Sequence, residues 1–390
     1  MEGWSDVPFL DAVVAKGSGK HSLPKKQWSD SGEFPVIGQG EAFIEGWTDR
    51  SDLLIDNDLP LVLYGGHSRR AKLVTHPFVP GPNVKLLRPS HTLSPEFLHY
   101  FLNWLPVESR GYADHFTVVK KSSIPLPPLP EQERIVAILD VAFAAIATAT
   151  ANAEKNLANA RELFESYMGT AIDPNQTGWE TRELQHDVKF IDYRGRTPQK
   201  TESGLRLITA KNVRMGKLNE HPAEFVSEDS YESWMTRGIP ASGDVLFTTE
   251  APLGLVCQLD TEERVVFAQR IITLQPDRSV IDPAFLHYAL RSPLVQESLH
   301  ANATGATAQG IKASRLKKIK FPIPPNFDDQ KNLAKELEQC ERDCLNIELL
   351  ESEKLQQLTN LKQSLLHKAF TGELTANKKA ADRTLSEAGV

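Results

Sequence analysis

The residues best suited to chemistry in this chain are cations set among glycines and polar side chains. In the run Gly65-Gly66-His67-Ser68-Arg69-Arg70-Ala71-Lys72, three cations stand on a flexible glycine loop that follows the apolar stretch Leu61-Val62-Leu63-Tyr64. Further along, Arg194-Gly195-Arg196-Thr197-Pro198, Lys211-Asn212-Val213-Arg214, and the loop from Thr304 to Gly310 with Lys312 behind it repeat this mixture. Such side chains suit nucleic acid: cations fix register on phosphates, while Arg, Lys, Asn, Gln or Thr reach base edges in the major groove. The candidate contacts are Arg69, Arg70 and Lys72 in one part of the chain, and Arg194, Arg196, Thr197, Lys211, Asn212, Thr307, Gln309 and Lys312 in another. Each cluster alone also fits an ordinary solvated turn. Arg315, Lys317, Lys318 and Lys320 form a further basic group, better placed for phosphates than for bases.

Catalytic patterns are missing. A phosphate-cradling loop needs a glycine, four intervening residues and then Gly-Lys-Ser/Thr; here Gly19-Lys20 is followed by His21, and Val14 stands in the first glycine's place. Gly38-Gln39-Gly40 has Phe43 where a dinucleotide fingerprint has its third glycine. No Asn-Pro-Pro-Tyr type of base-methylating motif occurs. His99 and His287 occupy equivalent places on two amphipathic helices, where packing or hydrogen bonding is the expectation rather than metal ligation. Cys340 and Cys344 share a helix face and are expected to pack as small hydrophobes, with no metal site.

The elements that must position the candidates come in two copies. Pro125-Leu126-Pro127-Pro128-Leu129-Pro130-Glu131-Gln132 returns as Pro322-Ile323-Pro324-Pro325-Asn326-Phe327-Asp328-Asp329-Gln330, and Phe-Leu-His-Tyr stands at both 97–100 and 285–288. The prolines exclude helix across the hinge, and the chain beyond them is rich in helix formers. Long helices are expected over 131–170 and 328–370, each roughly 60 Å long at 1.5 Å per residue. Ile135, Ile138, Ala142, Ala145 and Ala149 keep a 3/4 spacing with Asn152 next in register; Leu157, Ala160, Phe164 and Tyr167 resume it after a shift. In the second helix Leu333, Leu337, Cys340, Cys344 and Ile347 do the same, with a lapse at Glu351 and Lys354 before Leu358, Leu361 and Leu365. Leu139 joins the expected helix seam and docking surface with Ile135, Ile138, Leu333, Leu337, Leu358 and Leu365.

Glycine-punctuated apolar runs before each hinge read as short strands with a few helices, giving an α+β fold of two mixed domains and two long helices with internal pseudo-two-fold symmetry. The expected boundaries are a first domain over 1–123, hinge and helix over 124–172, a second domain over 173–320, hinge and helix over 321–374, and a disordered tail over 375–390. The helices are expected to pair as an antiparallel coiled coil that carries the domains to opposite ends; a parallel pairing would put both at one end.

Composition is that of a soluble globular protein, with 40% hydrophobic and 24% charged residues. The net charge of −7 is concentrated in the long helices: residues 131–170 carry six acids against three bases, and 328–370 nine against six. The domains are left nearly neutral, which keeps phosphate binding open to their basic clusters. The opening residues lack the basic and apolar run of a signal peptide, and three cysteines fit a reducing compartment, so a cytoplasmic protein without a membrane span is expected.

In order and duplication these motifs resemble the specificity (S) subunit of a type I restriction-modification system, over residues 3–374. The resemblance rests on the two hinges with Ile135-Val136-Ala137-Ile138-Leu139-Asp140, on Gly195-Arg196-Thr197-Pro198, Gly243-Asp244-Val245-Leu246 and Gly305-Ala306-Thr307-Ala308-Gln309-Gly310-Ile311, and on the terminal Leu361-Lys362-Gln363-Ser364-Leu365-Leu366-His367-Lys368-Ala369-Phe370-Thr371-Gly372-Glu373-Leu374. It implies two target-recognition domains, each reading half of a bipartite, asymmetric double-stranded DNA sequence, with helices that set the gap and dock two methyltransferase (M) subunits. Restriction (R) subunits would join through them, and S-adenosylmethionine, ATP and Mg2+ would belong to these partners, with no cofactor in this chain. The second hinge departs from the pattern at Asn326-Phe327-Asp328-Asp329, and the first domain lacks a clear Gly-x-Thr-Pro. A self-contained DNA methyltransferase or nuclease, and a coiled-coil adaptor that binds no DNA, are the other readings.

Overall fold

In the computed structural model the described residues are 3–109, 111, 113–194, 198–268, 270–305 and 309–376. Contacts divide the chain into two compact units: the first takes the residues up to Glu154 and those from Glu353 on, the second Lys155–Ser352.

Both units begin alike. Gly3 and Gly178 adopt φ values of 81° and 84°, a left-handed turn open to glycine at little cost. Each is followed by a tryptophan packed on its unit's core, Trp4 or Trp179. Then come a strand, one helical turn and a second strand: Ser5–Pro8, Phe9–Ala12 and Val13–Gly17 in the first unit, Glu180–Glu183, Leu184–Asp187 and Val188–Asp192 in the second.

The main sheet of the first unit runs Val13–Gly17, Val84–Pro89, Leu61–Gly65, Ala71–Val74, all antiparallel. In the second unit the order is Val188–Asp192, Ile271–Pro276, Val245–Thr249, Leu253–Gln258, again antiparallel. A smaller sheet in each unit contains one parallel pair, Phe34–Ile37 with Val79–Pro80 and Leu205–Ile208 with Val265–Phe267. The apolar runs have no polar alternation because both faces of the central strand are covered. Val62 and Tyr64 face a core shared with the helices, while Leu61 and Leu63 face the opposite core. Val245 and Phe247 divide from Leu246 in the same way.

The Phe-Leu-His-Tyr helices are Pro95–Trp104 and Pro283–Arg291. Ser94 Oγ accepts from Phe97 N at 3.0 Å, and Asp282 Oδ1 from Ala284 N and Phe285 N at 3.0 Å, so each helix starts on a capping side chain followed by proline.

The hinge strands Ser123–Leu126 and Lys320–Ile323 pair antiparallel with the first strand of their units. The long helices follow as Leu129–Ala171 and Phe327–Phe370. Pro130 lies inside the first turn instead of the non-helical hinge, since a first-turn N–H has no intrahelical acceptor and proline loses nothing there. Just beyond it the buried Gln132 fastens hinge, helix and capped helix together. Its Oε1 accepts from Ser94 N, and its Nε2 donates to Thr92 O and Pro127 O, all at 2.8 Å. Gln330 repeats the arrangement with Asp282 N at 2.9 Å, Val280 O at 3.1 Å and Pro324 O at 3.3 Å. The second hinge holds one more residue between proline carbonyl and glutamine, yet its glutamine arrives at the same three partners.

Within each unit the segments of the two long helices run antiparallel. In the first, Ile135 and Leu139 share a core with Leu366, Ala369 and Phe370, and Lys362 lies over the Phe143 ring at 5.0 Å. In the second, Asn156, Arg161 and Tyr167 meet Glu351, Glu348 and Glu336 at 3.0, 3.3 and 3.3 Å, the order in one segment reversing that in the other.

The expected seam is corrected in its register. Ile135, Leu139 and Leu337 are buried, and Leu333, Leu358 and Leu365 half-buried, but Ile138, Asn152, Ile347 and Leu361 are exposed. Ala160 and Cys344 face inward as spaced, while Ala153 and Met168 on the first helix and Ala334 and Leu366 on the second are inward positions that the spacing passed over. On the first helix the stripe shifts by one residue at 138, 152 and 167, to Leu139, Ala153 and Met168, and Glu351 stands where the apolar spacing of the second helix lapses. By length and composition the first long helix could cross a membrane, but its Ile135, Leu139 and Met168 are buried in the two cores.

The expected tail over 375–390 is corrected at its first residue. Thr375 is buried with its hydroxyl on Glu131, and residues 377–390 lie outside the described residues.

Candidate nucleic-acid interface

The main sheet of the first unit ends in the turn 65–70. Gly65 N donates to Arg70 O and Arg69 N to Gly65 O, each at 2.9 Å, so this stretch is a pinned hairpin turn and not the flexible loop expected. A Cβ on Gly65 would stand 2.2 Å from Ser68 Oγ and 2.7 Å from Gln39 Cβ, which is why glycine is needed. Arg69 is left-handed at φ 61° and exposed, with Nη1 donating to Val107 O at 2.8 Å. Arg70, also exposed, pairs with Glu41 at 3.3 Å. Lys72 is different. Its Nζ is buried against Ala42 O at 2.6 Å and Glu45 Oε1 at 2.8 Å, and the same Glu45 oxygen accepts from Gly40 N at 2.7 Å. Lys72 therefore builds the corner from inside, a correction to its assignment as a DNA contact.

The second unit has a corresponding corner. The turn after Val245–Thr249 holds Glu250 and the left-handed Ala251, at φ 49°. Beside it Arg270, at φ 72°, accepts on its carbonyl from Thr249 N at 2.9 Å, as Asn83, at φ 59°, accepts from Gly66 N at 3.1 Å in the first unit. Gly310 bridges Glu250, which brings the exposed Gln309 to this turn, with Lys312 exposed just beyond. A cleft of about 430 Å3 opens here, lined by Lys200, Thr209, Lys211, Arg214, Pro252 and Arg270 among others.

Asn212 is corrected as Lys72 was. It is fully buried, accepting from Thr209 N at 3.0 Å and donating to Asn219 O and Pro222 O at 3.1 and 3.0 Å, so it shapes the loop that presents Lys211. Arg194 is half-buried and forks onto Asp192 at 2.9 and 2.7 Å. Burial opposes ionisation of that carboxyl, but the Arg194 hydrogen bonds outweigh it and hold the pKa below the usual value. Asp192 pairs with Ile272, so Arg194 lies at the same sheet end. Arg196, Thr197 and Thr307 lie outside the described residues.

Backbone strain collects at these corners. Arg69, Asn83, Ala251 and Arg270 account for four of the five non-glycine residues with positive φ among the described residues. At Arg69, Ala251 and Arg270 this costs on the order of 1–3 kcal/mol each, while asparagine at 83 takes the conformation more readily. The Arg270–Glu250 pair, 3.3 Å apart with both side chains 52% exposed, returns about 0–1 kcal/mol, too little to offset it. Lys200 and Arg270 were not found from the sequence, because the residues around them come from strands far apart in the chain.

Residues 1–157 and 177–360 match the family described as Type I restriction modification DNA specificity domain. The chain belongs to that family. Among relatives, this specificity-domain chain is 25% identical over 283 residues to the type I restriction enzyme EcoKI specificity subunit of Escherichia coli (strain K12), covering 67% of this chain and 60% of that protein. It is 24% identical over 358 residues to the MjaVIII specificity subunit of Methanocaldococcus jannaschii, covering 84% and 81%. The EcoBI specificity subunit of Escherichia coli is 23% identical, and again the match spans 60% of the relative's length. In fold the chain is similar to a structure described under complex assembly and conformational transition of the type I R-M system, with a TM-score of 0.67 at 18% identity over 93% of this chain and 98% of that one. The HsdS subunit from Thermoanaerobacter tengcongensis gives 0.56 at 18% identity over 96% and 98%.

The histidines of the two Phe-Leu-His-Tyr helices serve packing and hydrogen bonding. His287 is buried, and burial first, then the Arg291 charge, holds its pKa well below the usual value. Its Nε2, 2.7 Å from Arg291 Nη1, is thus a neutral acceptor. Arg291 in turn pairs with Glu341, which also accepts from Tyr288 OH at 3.0 Å. In the first unit burial likewise lowers the His99 pKa, and Tyr100 OH donates to Asp140 at 2.5 Å.

Proposed function

We propose that the chain is the non-catalytic DNA-recognition subunit of a type I restriction-modification complex, each unit reading one half of a bipartite, asymmetric duplex target. The observation that carries this reading is that both halves of the family match build the same sheet-end corner, and both corners present exposed cations on a strained, hydrogen-bonded frame. Arg69, Arg70, Lys211, Gln309 and Lys312 are the proposed DNA contacts, with Arg194 at the second corner's sheet end and Arg196, Thr197 and Thr307 retained from the sequence as candidates. Lys72 and Asn212 support them from within. The recognition domains are residues 1–123 and 173–320; the hinge–helix segments 124–172 and 321–374 set the gap.

Two methyltransferase subunits dock on the long helices, where Ile138 and Val141 are apolar and exposed. Restriction subunits join through them, and these partners carry S-adenosylmethionine, ATP and Mg2+. The complex works on cytoplasmic DNA. Titrating the full-length chain with duplex DNA over a range of salt tests the reading: the logarithm of the affinity should fall linearly with log salt, and binding should favour one sequence class. Salt-independent or absent binding would refute it.

A further inference from the structure

Four cations line or border the cleft of the second unit, and they are held differently. Lys200 pairs with Glu224 at 2.8 Å, and Arg214 donates to the Lys211 and Val213 carbonyls at 2.9 Å. Arg270 alone among them is left-handed, at φ 72°. A β-carbon makes that conformation unfavourable, and glycine or asparagine would be the ordinary choice. Its backbone is fixed to the sheet end through Thr249 N, so the side chain leaves from a rigid support.

Glu250 sits 3.3 Å from Arg270 Nε and is itself positioned by the bridge to Gly310. A Cβ on Gly310 would stand 3.2 Å from Glu250 Cβ, so a side chain there would crowd the support. The ion pair engages the Nε edge and leaves the terminal nitrogens to form a fork. It also sets a carboxylate beside the guanidinium, which repels phosphate but tolerates the neutral acceptors of a base.

We propose that Arg270 is a base-reading side chain of the second unit, its guanidinium forking onto O6 and N7 of a guanine in the major groove while Lys211 and Arg214 take phosphates. This rests on the DNA-recognition reading above. Arginine to guanine is the bidentate pairing that such geometry serves. Asn83 shares this left-handed backbone at the equivalent place of the first unit, so the corner supplies the rigid frame and Arg270 is the side chain that the second unit sets on it.

The test is selection of duplexes by the full-length chain from a pool with a randomised central segment, using the native protein, Arg270→Asn and Arg270→Lys. Asparagine tolerates positive φ, so Arg270→Asn removes the fork without adding strain; Arg270→Lys keeps the charge. Both variants should lose roughly tenfold or more of the preference for guanine at one position of one half-site. The other half-site and the salt slope should stay unchanged. A uniform loss of affinity, with preferences intact and the salt slope reduced by about one, would make Arg270 a phosphate contact and overturn the inference while leaving the DNA reading standing. If the native chain selects no sequence, both fall together.

Discussion

Gln132 Oε1 accepts a hydrogen bond from the backbone N–H of Ser94 at 2.8 Å, binding the start of a long helix to the capping residue of the helix that backs the main sheet. Gln330 stands in the same relation to Asp282, at 2.9 Å. The hinge motif thus fastens domain to helix through an amide whose oxygen and nitrogen are both engaged. Replacing Gln132 or Gln330 with alanine strands a buried N–H and two carbonyls, and is expected to destabilise the affected unit by about 2–3 kcal/mol. Urea denaturation with hydrogen exchange resolved by segment would show the loss confined to that unit.

The seam register separates two neighbouring substitutions. Ala153 is fully buried, so Ala153→Leu overpacks the helix contact and should cost about 1–3 kcal/mol. Asn152 is exposed, so Asn152→Leu should stay within about 0.5 kcal/mol. Thermal melts of the two variants distinguish this register from the one the 3/4 spacing implies.

Lys72 and its neighbours Arg69 and Arg70 should fail in different ways. Lys72→Ala leaves the Glu45 carboxylate without its buried partner, and a loss of about 3 kcal/mol in stability is expected. The double variant Arg69→Ala, Arg70→Ala should keep the melting temperature, weaken DNA binding and alter one half-site only. Denaturation and duplex titration on both proteins check the contrast.

His287 gives a pH dependence of defined sign. Its folded pKa lies well below 6.5 while the unfolded chain titrates near that value, so its contribution to stability is present above 6.5 and is lost as the pH falls. Denaturation midpoints of the native chain should decline below pH 6.5, and His287→Asn should flatten that part of the profile.

Much of the architecture is legible in the sequence because it rests on local rules. Ser94-Pro95 and Asp282-Pro283 announce capped helices, and the proline hinges set both long helices to within two residues of their observed starts. The motif Gly243-Asp244-Val245-Leu246 gains its meaning only in three dimensions: Asp244 is fully buried and accepts from Ala241 N, Gln275 Nε2 and Arg278 Nη2. The seam register was lost where alanine recurs at 142, 144, 145, 147, 149, 151 and 153, since such a stretch offers an apolar residue on every face. Lys72 and Asn212 were misplaced because a polar residue near a turn looks the same whether its donors point outward or inward. Lys72 finds Glu45 27 residues away, a pairing no local spacing reveals. Arg270 went unseen for the same reason, its partner Glu250 lying across the sheet end.

A map of methylated bases in DNA from cells that carry this chain together with type I methyltransferase subunits tests the recognition role most directly. Methylation is expected at one bipartite, asymmetric sequence with a fixed gap, and a change in one half only when Arg69 and Arg70 are both replaced by alanine. Methylation with no shared sequence, or a double variant that leaves both halves unchanged, would contradict it.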